Sequence, residues 1–213
     1  MTICPSSVPF GACFIYAPRG VGAVSAAARL LCRRVKTADP LWIPRYAGCV
    51  VQLWLRGTNF QRVFAADAML VPVPGSRIAS ANVPWAAWQL ASAFRELGLA
   101  REMWTALERR TPVTKSATAA AGLRPTVWQH YDSLLVRPVP RPAPHKIVLV
   151  DDVITKGRTL LAAAARLRGR LPDADVRAFA LLRTQGFLAS ADRLLAPCEG
   201  FVYWAGGDAR REP

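Results

Sequence analysis

Acidic residues are scarce in this chain, 14 against 28 basic ones, and lysine occurs only at Lys36, Lys115, Lys146 and Lys156. The resulting charge of +14 is almost all arginine and is spread along the chain, a skew that coding bias can produce. It allows a nucleic-acid surface, but no helix-turn-helix signature, zinc-finger spacing or aromatic RNA-binding motif accompanies it. That even spread, and a basic cleft that steers a small polyanionic substrate, account for the charge better, so nucleic-acid binding is open and not favoured. No apolar run reaches the roughly 18 residues that a membrane span requires. The start of the chain, Met1 to Gly11, lacks the basic residues and long apolar stretch of a secretory signal. The expectation is a cytoplasmic protein with no membrane partner. Cys4, Cys13, Cys32, Cys49 and Cys198 form an odd, widely spaced set, which suits reduced thiols better than a disulfide framework. What is present argues for a packed fold: 213 residues, 52% hydrophobic and 20% charged, fit one domain with a sizeable core and room for a small appendage.

The most informative stretch runs Ile147-Val148-Leu149-Val150-Asp151-Asp152-Val153-Ile154-Thr155-Lys156-Gly157-Arg158-Thr159. Its apolar start reads as a strand buried on both faces, whose carboxyl end lies at the ligand edge of a parallel sheet. The following turn leads into a helical pattern, where backbone N–H groups attract an anion. Thr155 and Thr159 can donate hydroxyl hydrogen bonds to phosphate oxygens, and Gly157 allows close backbone approach. Lys156 and Arg158 either strengthen phosphate binding or face solvent. Asp151 and Asp152 would repel a phosphate. They suit a neighbouring sugar diol, or a magnesium ion.

Elsewhere the chain alternates candidate helices and strands. Residues 1 to 22, rich in Pro, Gly and small side chains, read as irregular. Helices are expected over Ala23 to Lys36, with its basic carboxyl end, and Gly48 to Leu55. Met69 to Pro74 reads as a strand entering a turn at Gly75, with its prolines at the sheet end. A helix follows over Asn82 to Leu97, capped by Asn82, with Pro84 in its first turn and Leu90, Phe94 and Leu97 on one face. Tyr131 to Val136 reads as a strand returning to the sheet, and His130 before it as a structural hydrogen-bonder. Arg137 to Pro144 is a Pro-rich loop. Leu160, Ala164, Leu167 and Leu171 recur at helical spacing, and Val176 to Leu182 is a buried strand. This alternation argues for an α/β protein with a mostly parallel sheet.

The string from Ile147 to Thr159 resembles the signature of the type I phosphoribosyltransferases, which bind 5-phosphoribosyl-1-pyrophosphate (PRPP). The family's order of hydrophobics, acidic pair, hydrophobics and Thr-x-Gly-x-Thr is matched at each position. Tyr46-Ala47-Gly48, Leu53 to Gly57 and Leu70-Val71-Pro72-Val73-Pro74 are similar to the competence-protein ComF branch of that family. The resemblance covers about residues 45 to 185. It implies a type I phosphoribosyltransferase fold, a mostly parallel central sheet flanked by helices. Residues 1–44 would form an N-terminal extension or hood, and 45–213 the phosphoribosyltransferase-like domain. It implies transfer of ribose 5-phosphate from PRPP to a nitrogenous acceptor, with Mg²⁺ as cofactor, and is compatible with a homodimer.

The resemblance also assigns roles. Thr155, Lys156, Gly157, Arg158 and Thr159 would hold the 5′-phosphate. Asp151 and Asp152 would hold ribose hydroxyls or magnesium, directly or through water. The loop Pro74 to Arg77 would cradle pyrophosphate: Gly75 would permit an unusual backbone, Ser76 donate and Arg77 grip phosphate oxygens. Arg109 to Arg124 would form a mobile lid, with Lys115 and Arg124 reaching the leaving group, so that Arg77 and Lys115 are the catalytic candidates. The chain departs from the ComF branch twice. It has no paired Cys-x-x-Cys motif, so a structural zinc is not expected, and Arg77-Ile78-Ala79-Ser80-Ala81-Asn82 stands where the branch has Arg-Gly-Phe-Asn-Gln. Two alternatives stay open: a non-catalytic PRPP or nucleotide sensor, and a competence-type accessory that binds single-stranded DNA. The acceptor is not legible.

Overall fold

The computed structural model describes residues 7–57, 60–78, 84–114, 123–185 and 193–213. Across its central sheet, β3 (Glu102–Met103), β2 (Met69–Pro72), β6 (Lys146–Ile154), β7 (Asp175–Thr184) and β1 (Ser7–Tyr16) run parallel. An antiparallel hairpin of β8 (Leu195–Ala205) and β9 (Asp208–Glu212) joins beside β1. The protein is therefore α/β with a mostly parallel sheet, as the alternating pattern predicts.

Helices cover both faces. On one lie α1 (Ala23–Lys36), α2 (Ile43–Leu55), α3 (Phe60–Val63) and α4 (Ala86–Glu96), packed around Phe179. On the other lie α5 (Val127–Ser133) and α6 (Arg158–Arg168). The two-residue period of β6 explains this division: Val148 and Val150 enter the first core, Ile147 and Leu149 the second. In α6, Ala162 to Ala165 are all buried, and small side chains let the helix lie close to the sheet. Helix α1 has the expected bounds, burying Ala28, Leu31, Cys32 and Val35. Among the described residues, no helix is long and apolar enough to cross a membrane.

Several expectations are corrected. Residues 1 to 22 are not wholly irregular, because Ser7–Tyr16 forms β1 between β7 and β8. The expected boundary at residue 45 therefore does not separate this strand from the sheet. Being buried on both sides, β1 shows no polar alternation. Its Gly11 is a packing requirement, since a Cβ there would lie 2.9 Å from Val63 Cγ2. Helix α2 starts at Ile43 rather than Gly48, with Pro44 in its first turn and Ile43, Tyr46, Ala47 and Val50 on its buried face. Helix α4 starts at Ala86, so Pro84 precedes it, and Asn82 lies outside the described residues. Tyr131 belongs to α5, whose Thr126–Gln129 capping box had no place in a strand reading. Only Leu134–Val136 is a strand (β5), and it pairs with β4 (Leu107–Arg109) in a separate ladder.

Candidate functional site

Strand β6 runs on through both acids to Ile154, and the chain turns at 155–157 into α6. The turn is possible because Gly157 adopts φ 82°, ψ 13°, a left-handed conformation that costs other residues about 1–2 kcal/mol. Gly157 is required a second time by packing: a Cβ would meet the Val202 methyls of β8 at 2.5 and 2.6 Å. Thr155 Oγ1 lies 3.1 Å from Thr184 Oγ1 at the end of β7. Arg211 donates to the Ile154 and Thr184 carbonyls (3.1 and 2.7 Å), tying β9 to the base of the loop. The expected phosphate-binding residues are thus brought together at the amino end of an 11-residue helix, where unpaired N–H groups favour an anion.

Lys156 and Arg158 do not simply face solvent. Both pair with Asp208 of β9: Lys156 Nζ at 2.9 Å, and Arg158 in a fork at 2.5 and 2.6 Å. These bonds, from Arg158 first, hold the Asp208 carboxyl well below the usual range. Arg158 also donates to the Pro125 carbonyl at 3.0 Å. In this arrangement both basic side chains brace the loop. A cleft of about 460 Å³ opens beside it, lined by Thr155, Lys156, Tyr203, Asp208 and Arg210.

The acidic pair is half-buried and largely committed. The Asp152 N–H donates to Asp151 Oδ1, the Val153 N–H to Asp152 Oδ1, and Lys36 Nζ to Asp152 Oδ2, each at 2.8 Å. Burial, then the neighbouring Asp152 charge, pushes the Asp151 pKa up. Magnesium prefers octahedral oxygen ligands and keeps several waters. With three of the four carboxylate oxygens taken by donors among the described residues, the pair does not fit direct ligation of magnesium by both acids. Among the described residues no cluster of three or more His, Cys, Asp or Glu supplies another metal site.

The loop after β2 is held from beneath. Pro74 is buried, Ser76 half-buried, and Gly75 and Arg77 exposed. The Gly75 carbonyl accepts from Arg109 Nε at 2.8 Å and the Ser76 carbonyl from the Val113 N–H at 2.9 Å. Gly75 departs from expectation: its φ lies outside the left-handed region, and a Cβ there would meet nothing within 4 Å among the described residues. Neither its conformation nor packing against the described residues demands glycine at this position.

Arg109 also departs from its place in a mobile lid. It is 2% exposed, on β4, and donates to Ser133 Oγ, with Nη2 at 3.5 Å from His130 Nδ1. Burial lowers its pKa to about 10. His130 Nε2 lies 3.4 Å from Thr159 Oγ1. Burial, then Arg109 and Arg158, pushes His130 down to about 4, so the ring is neutral near pH 7. Arg109 has no acceptor, so Nδ1 accepts and Nε2 carries the hydrogen. Arg109 and His130 therefore join the loop at Gly75 to the loop at Thr159. The Arg124 carbonyl accepts from Arg158 at 3.3 Å. Lys115 lies outside the described residues.

Sequence reasoning missed Lys36, Asp208 and the Arg109–His130 link. Lys36 carried only a helix-end signal, and Asp208 none. No protein-family model matches the chain, and no curated protein is significantly similar to it.

Proposed function

We propose that this chain has a type I phosphoribosyltransferase fold and transfers ribose 5-phosphate from PRPP to a nitrogenous acceptor, releasing pyrophosphate. The observation that carries this reading is the adjacency of a diol-suited acidic pair to a left-handed glycine turn at a helix amino end. The two Thr hydroxyls and the first N–H groups of α6 would bind the 5′-phosphate, and Asp151 would accept from a ribose hydroxyl. As the bond from C1 to the pyrophosphate oxygen breaks, its electron pair leaves with pyrophosphate and the acceptor nitrogen bonds to C1. The loop Pro74 to Arg77, steadied by Arg109, would orient the leaving group. Arg77, with Lys115 in the same role, would meet its growing charge. Magnesium bound with PRPP would add neutralising charge at the pyrophosphate.

The test is calorimetric titration with PRPP and Mg²⁺, followed by a pyrophosphate-release assay with purines, pyrimidines and small amines. Binding with release, and an Arg77→Ala variant that loses turnover more than affinity, is the expected result. Binding without release from any acceptor would favour the sensor, and no binding would remove both readings.

A further inference from the structure

Lys36 is the last residue of α1, and it reaches an acid 116 positions away. Leu31, Cys32 and Val35 bury the end of α1 on the sheet, which brings the lysine to the carboxyl end of β6. Its Nζ lies 2.8 Å from Asp152 Oδ2, with side-chain exposures of 39% and 19%. We propose that Lys36 is the resident cation of the acidic pair, so that the ribose is recognised without a metal ion on Asp151 and Asp152. The inference rests on the sugar-phosphate reading above and specifies how that site treats its cation.

The argument is an inventory of donors and acceptors. Backbone N–H groups take one oxygen of each acid, and Lys36 takes the second of Asp152. Among the described residues no donor is bonded to Asp151 Oδ2, which leaves it to accept from a sugar hydroxyl. An ammonium has three N–H donors, and among the described residues Lys36 spends one, on Asp152. The other two can donate to hydroxyl oxygens of the same diol. Lysine and acids together present both donors and acceptors to a neutral diol while cancelling much of the pair's charge. A divalent ion on the same oxygens would have to expel the ammonium or sit beside it against like-charge repulsion.

Ribose 5-phosphate is the probe, because it lacks the pyrophosphate that would recruit magnesium by itself. Calorimetry on the full chain should give affinities within about twofold with and without excess Mg²⁺. Lys36→Met, which keeps the stem, should bind roughly tenfold more weakly without Mg²⁺, as for a lost charge-assisted contact. Excess Mg²⁺ should then restore most of the loss. Electron paramagnetic resonance of free Mn²⁺ gives a readout that needs no sugar: the wild type should leave Mn²⁺ in solution, and Lys36→Met should take it up. Adding Asp152→Asn to that variant should abolish the uptake. Magnesium-dependent binding by the wild type, or unchanged binding by Lys36→Met, would overturn the inference and leave the sugar-phosphate reading standing. Failure of the wild type to bind ribose 5-phosphate under either condition would overturn both.

Discussion

At residue scale the phosphate loop depends on a few atoms with separate jobs. Gly157 is fixed by its left-handed φ and by Val202, and its role is to turn the chain. Thr155 and Thr159 are different, because among the described residues their hydroxyls make only long contacts, 3.1 Å to Thr184 and 3.4 Å to His130. They can be removed at little cost to folding. Thr155→Ala combined with Thr159→Ala should weaken PRPP binding by roughly tenfold or more, the effect of two lost hydrogen bonds to a charged group. Its melting temperature should stay near that of the wild type. Equal affinities in paired calorimetric titrations would remove phosphate binding from this loop.

At element scale β4 and α5 form a bridge under the site. β4 supplies Arg109, α5 supplies His130, and the Thr126–Gln129 capping box sets where α5 begins. Burying an arginine beside a histidine has a pH signature. The folded pKa of His130 is about 4, against an ordinary 6.5, so the unfolded chain takes up the proton first as pH falls. The neutral-ring arrangement is fully stable above pH 6.5. Stability is lost as pH falls from 6.5 towards about 4, by up to about 3 kcal/mol. Asp151, whose pKa is raised, contributes with the opposite sign, so the comparison must be made against a His130 variant. Urea unfolding of wild type and His130→Gln at several pH values should show a steeper acid loss for the wild type. Parallel curves would mean that the ring is not held neutral. The same elements show where sequence reasoning slipped: Tyr131 to Val136 has the residues of a strand, but the capping box committed its first half to a helix.

For the whole molecule the dominant quantity is a net charge of +14. A basic protein should steer a polyanion, and salt should weaken that steering as the Debye length shrinks from about 10 Å at 0.1 M to about 3 Å at 1 M. Stopped-flow association of PRPP should slow several-fold across that range, with dissociation changing less. A salt-independent association rate would leave the charge without a role in ligand capture. The sequence by itself determined the α/β class, the bounds of α1, the strand–turn–helix from Ile147 to Thr159 and the prolines at the end of β2. Each of these is encoded in neighbouring residues, through apolar periodicity, turn chemistry or helix-end charge. Only the tertiary structure decided that Ser7–Tyr16 is an inner strand, since a strand buried on both faces carries no polar alternation to announce it. It also decided that Lys36 meets Asp152, that Asp208 meets Arg158 and that Arg109 holds Gly75, across 116, 50 and 34 positions. Such pairings arise when packed helices and a folded hairpin bring distant side chains to one sheet edge, and no local pattern records that geometry.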